Sequence, residues 1–384
     1  MIYTTNLSYR TLKAPPISRL ERSVDMIKRH GPWICLFCFC CLSAFAQQNG
    51  QAKPPETAVL APTGTANHLI TLDVVVADQS GRAVPGLQQQ DFTLLDNKLP
   101  QKIVSFHAVS GAAAADDPPV EVILVLDEVN TSYQHGVIVR QEIEKFLSQN
   151  GGQLVRPVSL LFFSDSGTTG TTPSRDGKSV LADLNQHKQS LRNTKGAQGI
   201  YGAVERLNLS LRTLGQFADY QAKRPGRKLV VWMSPGWTFL STPRVDLTAK
   251  DQLALFRTIV GLSDALQRAR ITLYNVNPTG SGGLRSYYKA FLKGVTAAKQ
   301  VQGGNLGLQV LAYQSGGLVL NTSNDLAGEI ATCVSDANAF YSLSFEAAPG
   351  DGPNEYHTLA VTIGKPGVEA RTRSGYYAQP EQVH

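Results

Sequence analysis

The run Val120–Leu126, VEVILVL, constrains the fold of this chain more than any other stretch. Apart from Glu121 it is apolar and rich in β-branched residues. A strand that is apolar at odd and even positions alike cannot face water on either side. It belongs inside a parallel sheet with helices on both faces. The run ends in Asp127, and a polar loop then leads to a helix-like segment near 135–149. In open α/β sheets, ligands bind at the carboxyl ends of the strands, which is where Asp127 falls.

The same alternation continues downstream. Strand-like runs at Val158–Phe163, Lys228–Met233 and Ile271–Val276, with a shorter one at Gly317–Asn321, are separated by helical stretches near 199–219, 249–269 and 323–337. Strands alternating with helices predict a doubly wound, mainly parallel α/β domain over residues 119–337. The flanks read differently. Leu69–Ala77, Asp91–Leu95 and Ile103–Val109 precede the domain, and Phe340–Phe345, Leu359–Ile363 and Val368–Arg373 follow it, all with strand character. Neither 67–110 nor 338–378 is large enough to bury a good core alone. The expectation is that the two pieces pair into one small β-sandwich into which the α/β domain is inserted, leaving 379–384 as a tail. No internal repeat is visible.

The N-terminus carries an export pattern. Met26-Ile-Lys-Arg-His30 is basic, Trp33–Leu42 is apolar, and Ala44-Phe45-Ala46 matches a small-x-small cleavage site before Gln47. The apolar run is shorter than the roughly 20 residues a spanning helix needs. Residues 1–46 are therefore expected to be a signal peptide whose true start is Met26, with a long basic region from Met1, or a retained anchor, as the other readings. Residues 47–66 are polar and Pro-rich and read as a flexible linker. The expected location is the periplasm or the medium, with no membrane span in the mature chain.

Charge and cysteine usage narrow the function. The formal charge of +6 falls to about +2 once the basic N-terminus is removed. No concentrated basic face remains for nucleic acid. Cys35, Cys38, Cys40 and Cys41 lie in the apolar segment and would leave with it. Cys333 then has no partner for an internal disulfide, and its apolar helical setting predicts a small buried hydrophobe.

Catalytic motifs are weak. Asp176-Gly-Lys-Ser179 has Thr172 where a phosphate loop needs its first glycine. No His-Glu-x-x-His occurs, and the mature histidines are scattered. The Gly-x-Ser-x-Gly elbow is missing, which leaves only a triad assembled in space around Ser234 as a hydrolase reading. Trp237–Leu240 and Tyr287-Tyr288 fall in loops, where they suit either a protein interface or the loops' own small core.

Three segments carry a family resemblance: Gly81–Leu87 with Asp91-Phe92, Gln101–Ile103 and Ser105-Phe106; Leu124–Thr131; and Phe340–Phe345 with Pro366–Val368 and Arg373–Tyr377. The central part resembles a von Willebrand factor type A domain. The whole mature chain is similar to the secreted acidobacterial "VWFA-related" proteins. That resemblance implies a Mg²⁺ site built from Asp-x-Ser-x-Ser after the first strand, a Thr in a second loop and an Asp in a third. Mg²⁺ takes small oxygen ligands in an octahedron, and a partner's carboxylate completes the shell.

This chain departs from the pattern. Asp127 matches the first acid and Thr131 the second hydroxyl, but the first serine falls on Val129. The second-loop Thr falls near Gln198, and the third-loop acid falls on Pro235-Gly236, with Ser234 the nearest oxygen. Glu128, Asn130 and Ser132 are the other oxygens within reach. The alternative for Asp127 and Asn130 is to hydrogen-bond the loop backbone and cap the next helix. The expectation is an exported, non-catalytic binding protein that recognises a protein partner through loops 127–136, 195–201, 234–248 and 277–288, using Asp127, Asn130, Thr131, Gln198 and Ser234 around a degenerate ion site without a cofactor. The rivals are a Mg²⁺-dependent adhesion module on Asp127 and Thr131, and a secreted hydrolase.

Overall fold

Strand β5 (Val120–Asp127) is buried at every position, as its composition requires. Ile123 and Val125 pack on one face of the sheet with Leu207, Leu211 and Phe256; Val122, Leu124 and Leu126 pack on the other with Val139, Ile143 and Ile330. Each such side chain contributes roughly 1.5–3 kcal/mol by leaving water, an upper figure because unfolded chains are partly compact. The computed structural model describes residues 69–110, 119–189, 199–237, 247–279, 287–321 and 323–381. The predicted signal peptide, the linker at 47–66, His68, Gln198, His384 and loop positions 238–246 and 280–286 lie outside the described residues.

The central sheet has the order β11-β10-β9-β5-β6-β7. Here β6 is Gln153–Ser164, β7 Gly167–Gly170, β9 Arg227–Met233, β10 Ile271–Val276 and β11 Val319–Leu320. The pairs from β6 to β11 are parallel, and β7 and β8 (Ser174–Asp176) add antiparallel edges to β6. Helices α1 (Tyr133–Ser148), α2 (Gly177–Gln186), α3 (Gly199–Gln221), α4 (Ala249–Arg268), α5 (Leu308–Gln314) and α6 (Leu326–Ser335) connect the strands. The order reverses between β5 and β9, which opens the crevice at their carboxyl ends. The sequence reading missed β7, β8 and α5. Each is short, and Gly167–Gly170 carries no apolar alternation to mark it.

Two antiparallel four-stranded sheets are built from the chain's two ends. One runs β14-β1-β12-β4 and the other β15-β13-β2-β3. Their strands are β1 (Leu69–Asp78), β2 (Phe92–Asp96), β3 (Leu99–Gln101), β4 (Ser105–Ser110), β12 (Ala339–Glu346), β13 (Glu355–Ile363), β14 (Val368–Arg371) and β15 (Gly375–Ala378). Leu72 lies opposite Leu343 in the β1–β12 pair, and Val361 lies opposite Leu94 in the β13–β2 pair. Both sheets feed one apolar cluster, which holds Leu72, Val74, Leu94, Leu343, Phe345 and Leu359.

Charged groups tie these sheets to the central one. Asp73 on β1 pairs with Arg270 and lies 3.8 Å from Arg227. Arg227 donates to the Asp336 carbonyl and sits 4.2 Å over the Phe340 ring. Arg371 pairs with the Asp336 carboxylate, which also accepts from Tyr274 at 2.8 Å. Burial pushes the Tyr274 hydroxyl well above its ordinary value. Cys333 is buried in the apolar cluster beneath α6, matching its composition-based reading.

Candidate functional site

Asp127 ends β5, and its side chain turns toward α3. Asn130 Nδ2, which reaches Asp127, also donates to Ser210 Oγ on that helix at 2.9 Å. The carboxylate is 3% exposed and ringed by N–H groups. Oδ1 accepts from the backbone of Val129 at 3.1 Å and of Asn130 at 2.8 Å, and Asn130 Nδ2 reaches both oxygens. Oδ2 accepts from the Trp232 indole at 3.0 Å. Burial pushes the Asp127 carboxyl above the ordinary carboxylate range, opposed by hydrogen bonds from Trp232, Asn130 and Ser234.

Trp232 reaches Asp127 because of strand register. Val125 lies opposite Trp232, and side chains two residues apart share a face, so Trp232 and Asp127 meet on the α3 side. Trp237 then packs edge-on against Trp232 at 5.6 Å and is buried. Of the two readings of its loop, this places Trp237 in the core. Trp232 escaped the sequence reading, although aligning LVLD with VVWMS would have put the indole beside the acid.

The other positions distribute as follows. Val129 is fully buried among apolar residues. Thr131 Oγ1 is buried and makes no hydrogen bond. The cap of α1 is Ser132, whose Oγ accepts from His135 N at 3.3 Å, so neither Asp127 nor Asn130 performs that role. His135 Nδ1 also lies 2.8 Å from Ser132 Oγ. Glu128 pairs with His187 Nε2 at 2.8 Å, and His187 stacks on Phe162. Arg140 on α1 donates to the carbonyls of Leu184 and His187. Neither Arg140 nor the Glu128–His187 pair has a signal in the local sequence.

The third loop is held by amides. Asn275 Nδ2 donates to the carbonyls of Trp232 and Ser234, and Gln309 Nε2 donates to that of Pro235. Ser234 Oγ accepts from Gly236 N at 3.2 Å. Gly236 has φ +98°, and a Cβ there would lie 2.2 Å from Gln309 Nε2. Beside Asp127, a cavity of about 10 Å³ is lined by Glu128, Thr131, Gly136, Arg140 and Gln189. That is room for about one water.

A hard cation does not fit this donor set. Asp127 already accepts from N–H groups on both oxygens, Val129 and Pro235 offer no side-chain oxygen, and Arg140 adds positive charge to the same cavity. Among the described residues no cluster of three or more His, Cys, Asp or Glu has metal-binding geometry. No helix of these residues is long and apolar enough to cross a membrane.

Neither a protein-family model nor a curated protein matches the sequence. Among solved structures, the chain is similar to the SpRpn10 VWA domain, at 12% identity and TM-score 0.25 over 56% of this chain and 93% of that one. It is also similar to the pilus adhesin SpaC from Lactobacillus rhamnosus GG, at 8% identity and TM-score 0.33 over 77% of this chain and 49% of the adhesin. The chain thus spans about half the length of the adhesin it matches.

Proposed function

We propose that this chain is an exported, non-catalytic binding protein of the von Willebrand factor type A kind, whose α/β domain is carried in a β-sandwich made from its two ends. It recognises a protein partner through the loops at the carboxyl edge of the central sheet. The observation that carries this reading is the engagement of Asp127. Where a metal-dependent domain leaves an acid free for an ion, this acid is bound by Trp232 and Asn130. The loop is thereby a rigid, preorganised surface, which lowers the ordering cost of binding.

The Mg²⁺-dependent alternative keeps one supporting feature, the Thr131 hydroxyl that is buried without a hydrogen bond. Thermal unfolding in EDTA and in millimolar Mg²⁺, Mn²⁺ or Ca²⁺ separates the two. An ion that binds only the folded state adds about 2.7 kcal/mol at a hundredfold excess over its dissociation constant. The metal-free reading expects superimposable curves. A shift that disappears in Asp127→Ala would establish the alternative. Partner recognition is tested with a photo-crosslinking residue at Tyr133, which is 56% exposed beside the loop, against one at Leu99, 66% exposed on β3. Equal labelling from both positions would count against the carboxyl edge.

A further inference from the structure

A groove of about 610 Å³ runs along the α3 side of the central sheet. Its floor is β5 and β6, one wall is the second half of α3, and the other is β7 with the turn at 171–173. The groove forms because β7 extends the sheet by one strand beyond β6. Glu121 marks its position near the start of β5, six residues before Asp127. At about 3.3 Å per residue that end is roughly 20 Å from the carboxyl-edge loops, while Thr168 at the other end lies level with Asp127, two strands or roughly 10 Å away through Phe163; Asp127 itself does not line the groove. The volume falls within the range of about 300–1,000 Å³ typical of small-molecule sites.

The lining fixes the chemistry of an occupant. Its charges cancel: Glu121 pairs with Arg224 at 2.7 Å and accepts from Ser159 Oγ at 2.8 Å, and among the described residues no other acidic or basic side chain lines the groove. A phosphate or nucleotide would need free cationic donors. The remaining polar groups are neutral. Thr168, Thr172, Thr213 and Gln216 line the groove, and their side chains make no hydrogen bond among the described residues. Thr213 is only 6% exposed as a residue and lines the groove. A hydroxyl both donates and accepts, so it can match either role of a ligand hydroxyl. At the rim, the Tyr220 ring is 61% exposed and offers a flat, amphipathic face.

A peptide strand added to β7 fits less well. The edge spans only Gly167–Gly170, and Pro173 follows it in the turn. Short edges and edge prolines are devices that block strand addition.

We infer that this groove binds a short neutral oligosaccharide, with Thr168, Thr172, Thr213 and Gln216 hydrogen-bonding sugar hydroxyls and the Tyr220 ring lying against a sugar face. Recognition is by matched neutral donors and acceptors, and it does not involve Asp127.

Calorimetric titration of the full chain with maltotriose, cellotriose, xylotriose and triacetylchitotriose tests this. At least one is expected to bind with a dissociation constant below about 1 mM, and Thr172→Ala and Tyr220→Ala each to weaken it about tenfold. Both side chains are exposed, so the variants should melt with the wild type. The near-isosteric Thr213→Val should also weaken binding, whereas Asp127→Asn should not. Absence of binding by all four sugars would overturn the proposal, as would binding that ignores the Thr172 and Tyr220 substitutions. Neutral decapeptides selected from a displayed library, lost in Tyr220→Ala while the sugars do not bind, would replace the saccharide with a peptide.

Discussion

The Trp232 indole donates to Asp127 Oδ2 at 3.0 Å across the switch point of the central sheet. An uncharged donor thus stands against the acid that the type A resemblance assigns to a cation. The consequence is an internally bonded edge in place of an open coordination sphere.

Burial raises the Asp127 carboxyl, so the native state holds this proton more tightly than the unfolded chain. A raised carboxyl contributes stability that is complete below the unfolded value, near 3.8, and is lost as pH rises through the folded one. Relative to Asp127→Asn, the wild type should therefore lose stability as pH rises above about 4, levelling once the native carboxyl has ionised. Urea unfolding at several pH values from 4 to 8 measures the difference. A gap between the two proteins that widens in favour of the wild type with rising pH would refute the assignment.

Restoring the motif serine at position 129 should cost stability without creating an ion site. Val129 is fully buried in the apolar cluster shared with Trp232 and Trp237. Val129→Ser replaces buried hydrocarbon with a hydroxyl and should destabilise by about 2 kcal/mol. Its melting curve should stay indifferent to Mg²⁺, and a Mg²⁺-dependent rise would show that Asp127 is released more easily than its hydrogen bonds imply.

The antiparallel sheets hold a second polar knot. Asp96 accepts from Tyr376 Oη at 2.6 Å and lies 3.0 Å from His357 Nδ1, and all three residues are buried. Tyr376→Phe should cost about 1–3 kcal/mol in chemical denaturation, because it leaves a buried carboxylate short of a donor. A neutral result would mean that His357 alone satisfies Asp96.

Asp336 binds Arg371 and Tyr274 at the join between the central sheet and β14. Asp336→Ala should cost about 1–3 kcal/mol, since it leaves the buried Tyr274 hydroxyl without its acceptor and Arg371 with the Gly316 carbonyl as its remaining one. Asp336→Asn should recover part of the loss by keeping an acceptor for Tyr274. Equal melting temperatures for wild type and the alanine variant would show that the pair is better hydrated than its burial suggests.

Gly236 carries the third-loop turn at φ +98° against Gln309. Gly236→Ala combines left-handed backbone strain with a contact to the Gln309 amide, and about 1–3 kcal/mol of destabilisation is expected. Thermal unfolding checks this; a loss far below that range would show that the loop shifts freely.

The layers follow from local apolar patterns. Val120–Leu126, apolar at every position but Glu121, required burial on both faces, and the alternating Leu69–Ala77 and Leu359–Ile363 required sheets with one face inward. Such patterns are local, since each follows from the period of a single element. Asp127 at a strand end, and the missing oxygens at Val129 and Pro235, were legible for the same reason. What meets Asp127 depends on how the strands pair in the folded chain. Trp232 is 105 residues away, and it arrives through the register of β5 against β9. The same holds for Asp96 with His357 and for the groove between β7 and α3, which arise from strands and helices that the chain brings together only when it folds. A side chain's partner across a sheet depends on pairing and register, and neither is encoded within one segment.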